Sequence, residues 1–155
     1  MIFAPTKGTA DSLRDRPLGF PVVDVAVTLT NGSYHAVDSS EQAFRQAARI
    51  AMQSGLQACD PVLLEPILAV EISVPTEFTS NVLRLISGRR GQILGYDAKA
   101  NWTSWDVVSA YLPQAEMQDL IIELRSLTQG VGFFNAHYDH LQEVVGREAD
   151  RLLVK

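Results

Sequence analysis

The order in which hydrophobic periodicity switches along residues 67–141 constrains this chain more than any other feature. Leu68, Val70, Ile72 and Val74 alternate with Ala69, Glu71 and Ser73, the two-residue period of a strand with one buried face. A helical period follows over 77–89, with Phe78, Val82, Leu85 and Ile86 inward. Strands are predicted over 92–96 and 106–112. A second helix is predicted over 114–129, with Met117, Leu120, Ile121, Leu124 and Leu127 as its apolar stripe and Gly130 as its stop. A last strand covers 133–138. Strand, helix, strand, strand, helix, strand is the split order of a ferredoxin-like sandwich, in which two helices cover one face of an antiparallel sheet. The predicted fold class is therefore α+β, a βαββαβ sandwich.

Upstream the pattern is different. Residues 1–19 carry Pro5, Gly8, Pro17 and Gly19 without an apolar period and read as a flexible segment. Val23, Val25, Val27 and Leu29 then alternate with polar or small residues, which predicts a half-buried strand ended by a tight turn at Asn31-Gly32. Ser39 with Gln42 three positions on forms a capping-box pattern. The helix it opens places Phe44, Ala47, Ala48, Ala51 and Gly55 on one face. A domain change is expected near Pro66, dividing the chain into 20–66 and 67–155. Ala149, Leu152 and Leu153 suggest a short terminal helix over 146–155.

Composition removes several function classes. With 155 residues, 46% of them hydrophobic and 20% charged, the chain has the balance of a folded protein. A net charge of −5 argues against indiscriminate coating of nucleic acid, because that binding needs many cations to displace condensed counterions. Any RNA contact must be local. The single cysteine, Cys59, can form neither an internal disulfide nor a thiolate cluster, which suits a reducing compartment. The sequence shows no signal peptide and no apolar run of membrane-spanning length, so a cytoplasmic, membrane-free protein is expected.

No catalytic constellation emerges. Gly88-Arg89-Arg90-Gly91 lacks the lysine and hydroxyl of a phosphate loop and lies between a helix and a strand, the reverse of the required order. Gln129-Gly130-Val131-Gly132-Phe133-Phe134 superficially resembles an acylphosphatase loop. It lacks the arginine that chemistry needs, with Phe134 in its place, and it precedes the last strand instead of following the first. Of the three histidines, His35, His137 and His140, the last two lie three apart, an offset that points them to opposite faces of a regular strand. No metal site is expected. The one local basic feature is Arg84, Arg89 and Arg90, with Arg125 near it across the helix layer. Arg89 and Arg90 follow the apolar stripe of their helix and are expected at an exposed turn with little folding role.

Two stretches are far more specific, Gly32-Ser33-Tyr34-His35-Ala36-Val37-Asp38-Ser39-Ser40-Glu41-Gln42-Ala43-Phe44 and Pro61-Val62-Leu63-Leu64-Glu65-Pro66-Ile67. Both resemble translation elongation factor G. Further segments match in the family's order: Phe20-Pro21-Val22-Val23-Asp24-Val25, Arg89-Arg90-Gly91-Gln92-Ile93-Leu94-Gly95 and Leu124-Arg125-Ser126-Leu127-Thr128-Gln129-Gly130. The resemblance covers about residues 18–145. It implies that the part before Pro66 is the end of domain IV and the rest is domain V, a non-catalytic piece of a longer GTPase. GTP and magnesium would then be held elsewhere in that longer protein, with no cofactor in this chain.

The resemblance further implies a ribosomal partner. His35 matches a histidine of a domain IV tip loop that reaches the decoding region, where tRNA and mRNA lie, during translocation. Tyr34 and His35 are candidate RNA-binding residues, since aromatic and imidazole groups suit exposed RNA. Arg89 and Arg90 are candidates for rRNA or stalk-base contact through domain V. Val131 stands where the family usually has arginine, Leu141 where it has tyrosine and Val145 where it has proline. The loop from Ala98 to Trp105 carries both tryptophans. These departures point to an elongation factor G-like paralogue, for which recycling of ribosomes is the alternative to translocation. A free-standing ferredoxin-like domain that binds a small ligand is the reading from another class, but it leaves the GSYHAVDSSE segment unexplained. A monomer is expected.

Overall fold

In the computed structural model, the residues described are residue 9 and residues 20–153. The segment 1–19 therefore lies, apart from Thr9, outside the described residues. The chain divides into two units, one of residues up to Leu63 together with those from Val145 onward, the other Leu64–Val144.

The second unit is the predicted sandwich. Its elements are β1 (Leu64–Pro75), a 3-10 turn (Thr76–Phe78), α2 (Thr79–Gly88), β2 (Gln92–Ala98), β3 (Trp105–Pro113), a 3-10 turn (Gln114–Met117), α3 (Leu120–Leu127) and β4 (Phe133–Glu143). The helix before it, Glu41–Ala58, is α1, and α4 is Arg147–Leu153. The four strands form one antiparallel sheet in the order β2-β3-β1-β4. Strand alternation places Val70, Ile72 and Val74 of β1 and Val108, Ala110 and Leu112 of β3 on one face, where they meet Val82 and Ile86 of α2 and Leu124 of α3. All of these are buried. Removing each large side chain from water contributes roughly 1.5–3 kcal/mol, and together they hold the helix layer to the sheet. At the N-terminus of α2, the Asp106 carboxylate accepts from Thr79 Oγ1 at 2.6 Å and from Thr76 Oγ1 at 3.1 Å, tying the helix start to β3.

Several local expectations are corrected. The run Val23–Leu29 is not a strand: Val23, Val25, Val27 and Leu29 are all exposed, and none of the described strands pairs with it. Alternation alone cannot hold a strand without a ladder partner, and Asp24 leaves the extended region at φ 56. The turn falls at 36–38 and not at Asn31-Gly32, where the Gly32 amide instead donates to Asn31 Oδ1 at 2.7 Å. The cap of α1 is Ser40, one residue later than expected, and its hydroxyl accepts from the Ala43 amide at 3.1 Å.

The helix expected over 114–129 is split. After the 3-10 turn Gln114–Met117, Gln118 is extended and Asp119 is left-handed at φ 59 before α3 begins. Its end behaves as predicted, with Gly130 at φ 91 donating to the Arg125 carbonyl at 2.7 Å. Strand β1 runs without a break through Pro66, which pairs with Leu141. Between Ile67 and Leu68 the register with β4 shifts, since Ile67 faces His140 while Leu68 faces Tyr138, leaving Asp139 as the extra residue of a bulge.

Candidate functional site

The turn before α1 is closed by two reciprocal hydrogen bonds. The Ser39 amide donates to the His35 carbonyl at 2.9 Å, and the His35 amide donates to Ser39 Oγ at 2.8 Å. Ser40 then caps the helix, so residues 35–40 pass from turn to helix without a free joint. Tyr34 is 63% exposed and the His35 side chain 70% exposed. Both rings therefore stand in water on a backbone pinned by local bonds. His35 Nδ1 lies 3.1 Å from Asp38 Oδ2 and 3.4 Å from the Val37 amide nitrogen. Such a pair of exposed, locally anchored rings can stack on a base and hydrogen-bond to it.

Arg89 and Arg90 do not stand free, contrary to the sequence expectation. The Arg89 side chain is only 13% exposed. Its Nη1 donates to the carbonyls of Glu116 and Gln118 at 2.6 Å each, and its Nη2 lies 3.0 Å from Glu123 Oε2. Those carbonyls are freed where the chain breaks between the 3-10 turn and α3, so the guanidinium satisfies acceptors that a continuous helix would have used itself. Arg90, whose φ is 55, grips Glu65 with Nη1 and Nη2 at 2.9 and 3.0 Å, and its Nε donates to Glu116 Oε1 at 2.9 Å. The hydrogen bonds to Glu65 push the Arg90 pKa well above the ordinary arginine range, with partial burial opposing and Glu116 adding to the effect. Elsewhere, Arg84 donates to Asn81 Oδ1 at 2.7 Å.

The glycine-rich turns offer no phosphate cradle. The amides of Arg89 and Gly91 both donate to the Ile86 carbonyl at 3.0 Å. In the later turn the Gly130, Val131 and Gly132 amides are occupied by the Arg125 carbonyl, the Thr128 carbonyl and Thr128 Oγ1. The strand-parity reading of His137 and His140 is also corrected. The bulge at Asp139 puts them opposite Ala69 and Ile67, so they share a face. His140 Nδ1 is paired with Asp139 Oδ2 at 2.6 Å, and its ring meets Tyr111 edge-on. Among the described residues, no group of three or more His, Cys, Asp or Glu side chains is placed to hold a metal ion. No helix among them is long and apolar enough to cross a membrane.

One cluster escaped the sequence reading except as an unusual loop. Lys99 Nζ sits 4.3 Å from the Trp102 ring centre and 4.1 Å from that of Phe133, and it donates to the buried Ser73 hydroxyl at 2.8 Å. Trp102 and Trp105 pack edge to face at 4.8 Å. A lysine just ahead of two tryptophans in one loop is the sequence signal for such a contact.

Residues 4–60 match the family model for elongation factor G, domain IV, and residues 62–152 match that for the elongation factor G C-terminus. The chain belongs to the elongation factor G family. It is 66% identical over 145 residues to an elongation factor G-like protein of Synechocystis sp., a match covering 94% of this chain and 22% of that protein. A crystallised protein from Thermus thermophilus superposes with a TM-score of 0.87 at 36% identity, over 97% of this chain and 22% of that one. The chain thus spans about a fifth of the length of these relatives. Within this elongation factor G chain the two matched segments meet between the end of α1 at Ala58 and the start of β1 at Leu64.

Proposed function

We propose that this chain is the ribosome-docking C-terminal module of an elongation factor G-like translational GTPase that acts in translocation, and that it performs no catalysis itself. The observation that carries the reading is the Tyr34-His35 turn, two exposed rings on a backbone closed by Ser39 and leading directly into the capped helix. In this reading the turn meets RNA of the tRNA–mRNA region, while residues 62–152 act as domain V against rRNA and ribosomal protein. The residues before them, up to residue 60, supply the end of domain IV. GTP and magnesium are held outside these residues, the protein works as a monomer in the cytoplasm, and Arg89 and Arg90 serve by keeping domain V in shape.

The test is His35→Ala in the full-length protein. Translocation, measured as movement of mRNA on pre-translocation ribosomes, is expected to slow at least about tenfold, a transition-state effect of about 1.4 kcal/mol. Ribosome-stimulated GTP turnover should remain within about twofold. Unchanged translocation, or equal loss of both activities, overturns the role given to this turn. If the wild-type protein splits post-termination ribosomes but does not move mRNA, the recycling alternative replaces it.

A further inference from the structure

The loop between β2 and β3 clamps an exposed indole. Trp102 is 46% exposed, yet its ring has the Lys99 ammonium 4.3 Å from its centre, Trp105 edge to face at 4.8 Å and Phe133 tilted at 6.1 Å. The backbone is tied as well. The Lys99 amide donates to the Trp105 carbonyl at 2.7 Å, and the Trp102 amide donates to the Lys99 carbonyl at 3.1 Å. On either side of Trp102 and Thr103, Asn101 at φ 63 and Ser104 at φ 59 sit in the left-handed region, a conformation that costs a side-chain-bearing residue energy and is kept where the geometry itself is useful.

The ammonium beside this ring is electrically uncancelled. Among the described residues no carboxylate forms an ion pair with Lys99, whereas Arg89 is paired with Glu123, and Arg90 with Glu65 and Glu116. Asp106, next to Trp105 in sequence, is taken up by Thr76 and Thr79. Lys99 bonds instead to the neutral hydroxyl of Ser73, so a whole positive charge stands against an exposed aromatic surface in a chain of net charge −5.

We infer that Trp102 is a stacking platform for an unpaired RNA base, and that Lys99 fixes the ring and attracts the phosphate that accompanies the base. The inference rests on the proposed ribosomal role and deepens it by naming a contact residue in the 62–152 segment. Every base offers a π face, and a ring already immobilised by its neighbours loses little rotamer freedom when the base arrives. A cation without a carboxylate partner complements a phosphate. An apolar protein pocket would use the ring and leave the charge without a role.

The experiment is proton NMR of the two indole N–H groups in the whole chain, titrated with a short oligoadenylate RNA. The Trp102 signal is assigned by its loss in Trp102→Phe. A saturable upfield shift of that signal is expected, from the ring current of a stacked adenine. Oligoadenylate DNA should give the same shift, because stacking does not read the sugar. Inorganic phosphate, or the same RNA paired with its complement, should give none. A Trp102 signal that ignores the single strand, or that responds equally to phosphate or to the duplex, overturns the inference.

Variants then separate ring from charge, read by the anisotropy of labelled oligoadenylate RNA. Trp102→Leu should weaken binding at least about fivefold with its salt dependence unchanged, and Trp102→Phe should recover most of the loss. Lys99→Met should weaken binding and flatten its salt dependence, while Lys99→Arg keeps both. A Trp102→Phe variant as weak as Trp102→Leu, or an unchanged salt slope in Lys99→Met, contradicts the assigned roles. If Trp102→Leu in the full-length protein lowers ribosome affinity although the indole ignores RNA, the ring meets ribosomal protein and the RNA reading falls. A Trp102 response to RNA together with unchanged translocation in His35→Ala leaves this inference standing and removes the role of the Tyr34-His35 turn instead.

Discussion

Arg90 and Glu65 meet as a forked ion pair with both arms at about 3 Å, joining the C-terminal end of α2 to the start of β1 across twenty-five residues of sequence. The fork matters because a planar guanidinium matched to a planar carboxylate keeps its geometry where a lysine would not. Arg90 is still 35% exposed, so the surrounding water screens the pair and limits its contribution. Arg90→Ala is expected to lower the stability of the Leu64–Val144 unit by about 1 kcal/mol. Urea denaturation followed by far-ultraviolet circular dichroism measures this, and a loss above about 3 kcal/mol would contradict the screened reading.

Arg89 should matter more. Its guanidinium is largely covered and is held by the Glu116 and Gln118 carbonyls, which truncation would leave without their donor. Arg89→Ala is expected to cost about 1–3 kcal/mol, and Arg89→Lys should recover only part of that, because one ammonium cannot reach two carbonyls and Glu123 with the same fixed fork. Full rescue by lysine would show that charge alone matters at this position.

How much of this was legible beforehand follows from how local each determinant is. The order of elements in the Leu64–Val144 unit could be read because burial of Val70, Ile72, Val74, Val82 and Ile86 is written into the spacing of their own segments. The unpaired run Val23–Leu29 could not, since a strand depends on a partner that its own alternation does not specify. The same limit hid the role of Arg89. Its acceptors exist only because Gln118 is extended and Asp119 left-handed, a break invisible in an apolar stripe that continues across it. Strand parity failed for His137 and His140 because one inserted residue, Asp139, reverses it. At the candidate site, Tyr34 and His35 were identified by resemblance, whereas the closure of their turn by the Ser39 amide and hydroxyl required coordinates.

Gly91 gives a steric test of the same corner. A Cβ built there would lie 2.4 Å from Ile86 Cγ2 and 2.8 Å from the Ile86 carbonyl oxygen, and the second of these is backbone that cannot swing aside. Gly91→Ala is therefore expected to destabilise the unit by about 1–3 kcal/mol, the range for inserting a methyl into a packed site. Gly95→Ala provides the control, because nothing lies within 4 Å of its built Cβ. Equal behaviour of the two variants in thermal unfolding would contradict the close approach.

Asp106 is buried and takes its compensation from Thr79 Oγ1 and Thr76 Oγ1. Thr79→Val keeps the shape of the side chain and deletes the shorter of these bonds, leaving a carboxylate in a dry site short of one donor. A loss of about 1.5–3 kcal/mol is expected, the range for hydrogen bonds to charged groups. Thr76→Val removes the longer bond at a more exposed position and should cost less. Denaturant midpoints in the reverse order would place the principal tether at the 3-10 turn, away from the start of α2.

Lys99 offers a prediction with an optical readout. Its ammonium lies against the faces of Trp102 and Phe133 and hydrogen-bonds Ser73, so the loop between β2 and β3 is fastened to β1 through one cation. Cation–π contacts contribute about 0.5–1 kcal/mol at exposed sites and about 2 when desolvated. Lys99 is half-buried, which sets the expected cost of Lys99→Met at about 1 kcal/mol. Methionine preserves much of the apolar stem, so the loss should come from the charge and from the Ser73 hydroxyl left without its donor. Because the chain's only tryptophans are Trp102 and Trp105, its fluorescence reports this loop alone. Lys99→Met should change the emission intensity of the folded protein and raise the accessibility of Trp102 to acrylamide, whereas Lys99→Arg should preserve both. Identical spectra and quenching for the wild type and Lys99→Met would mean that packing between the two indole rings, and not the cation, holds the loop.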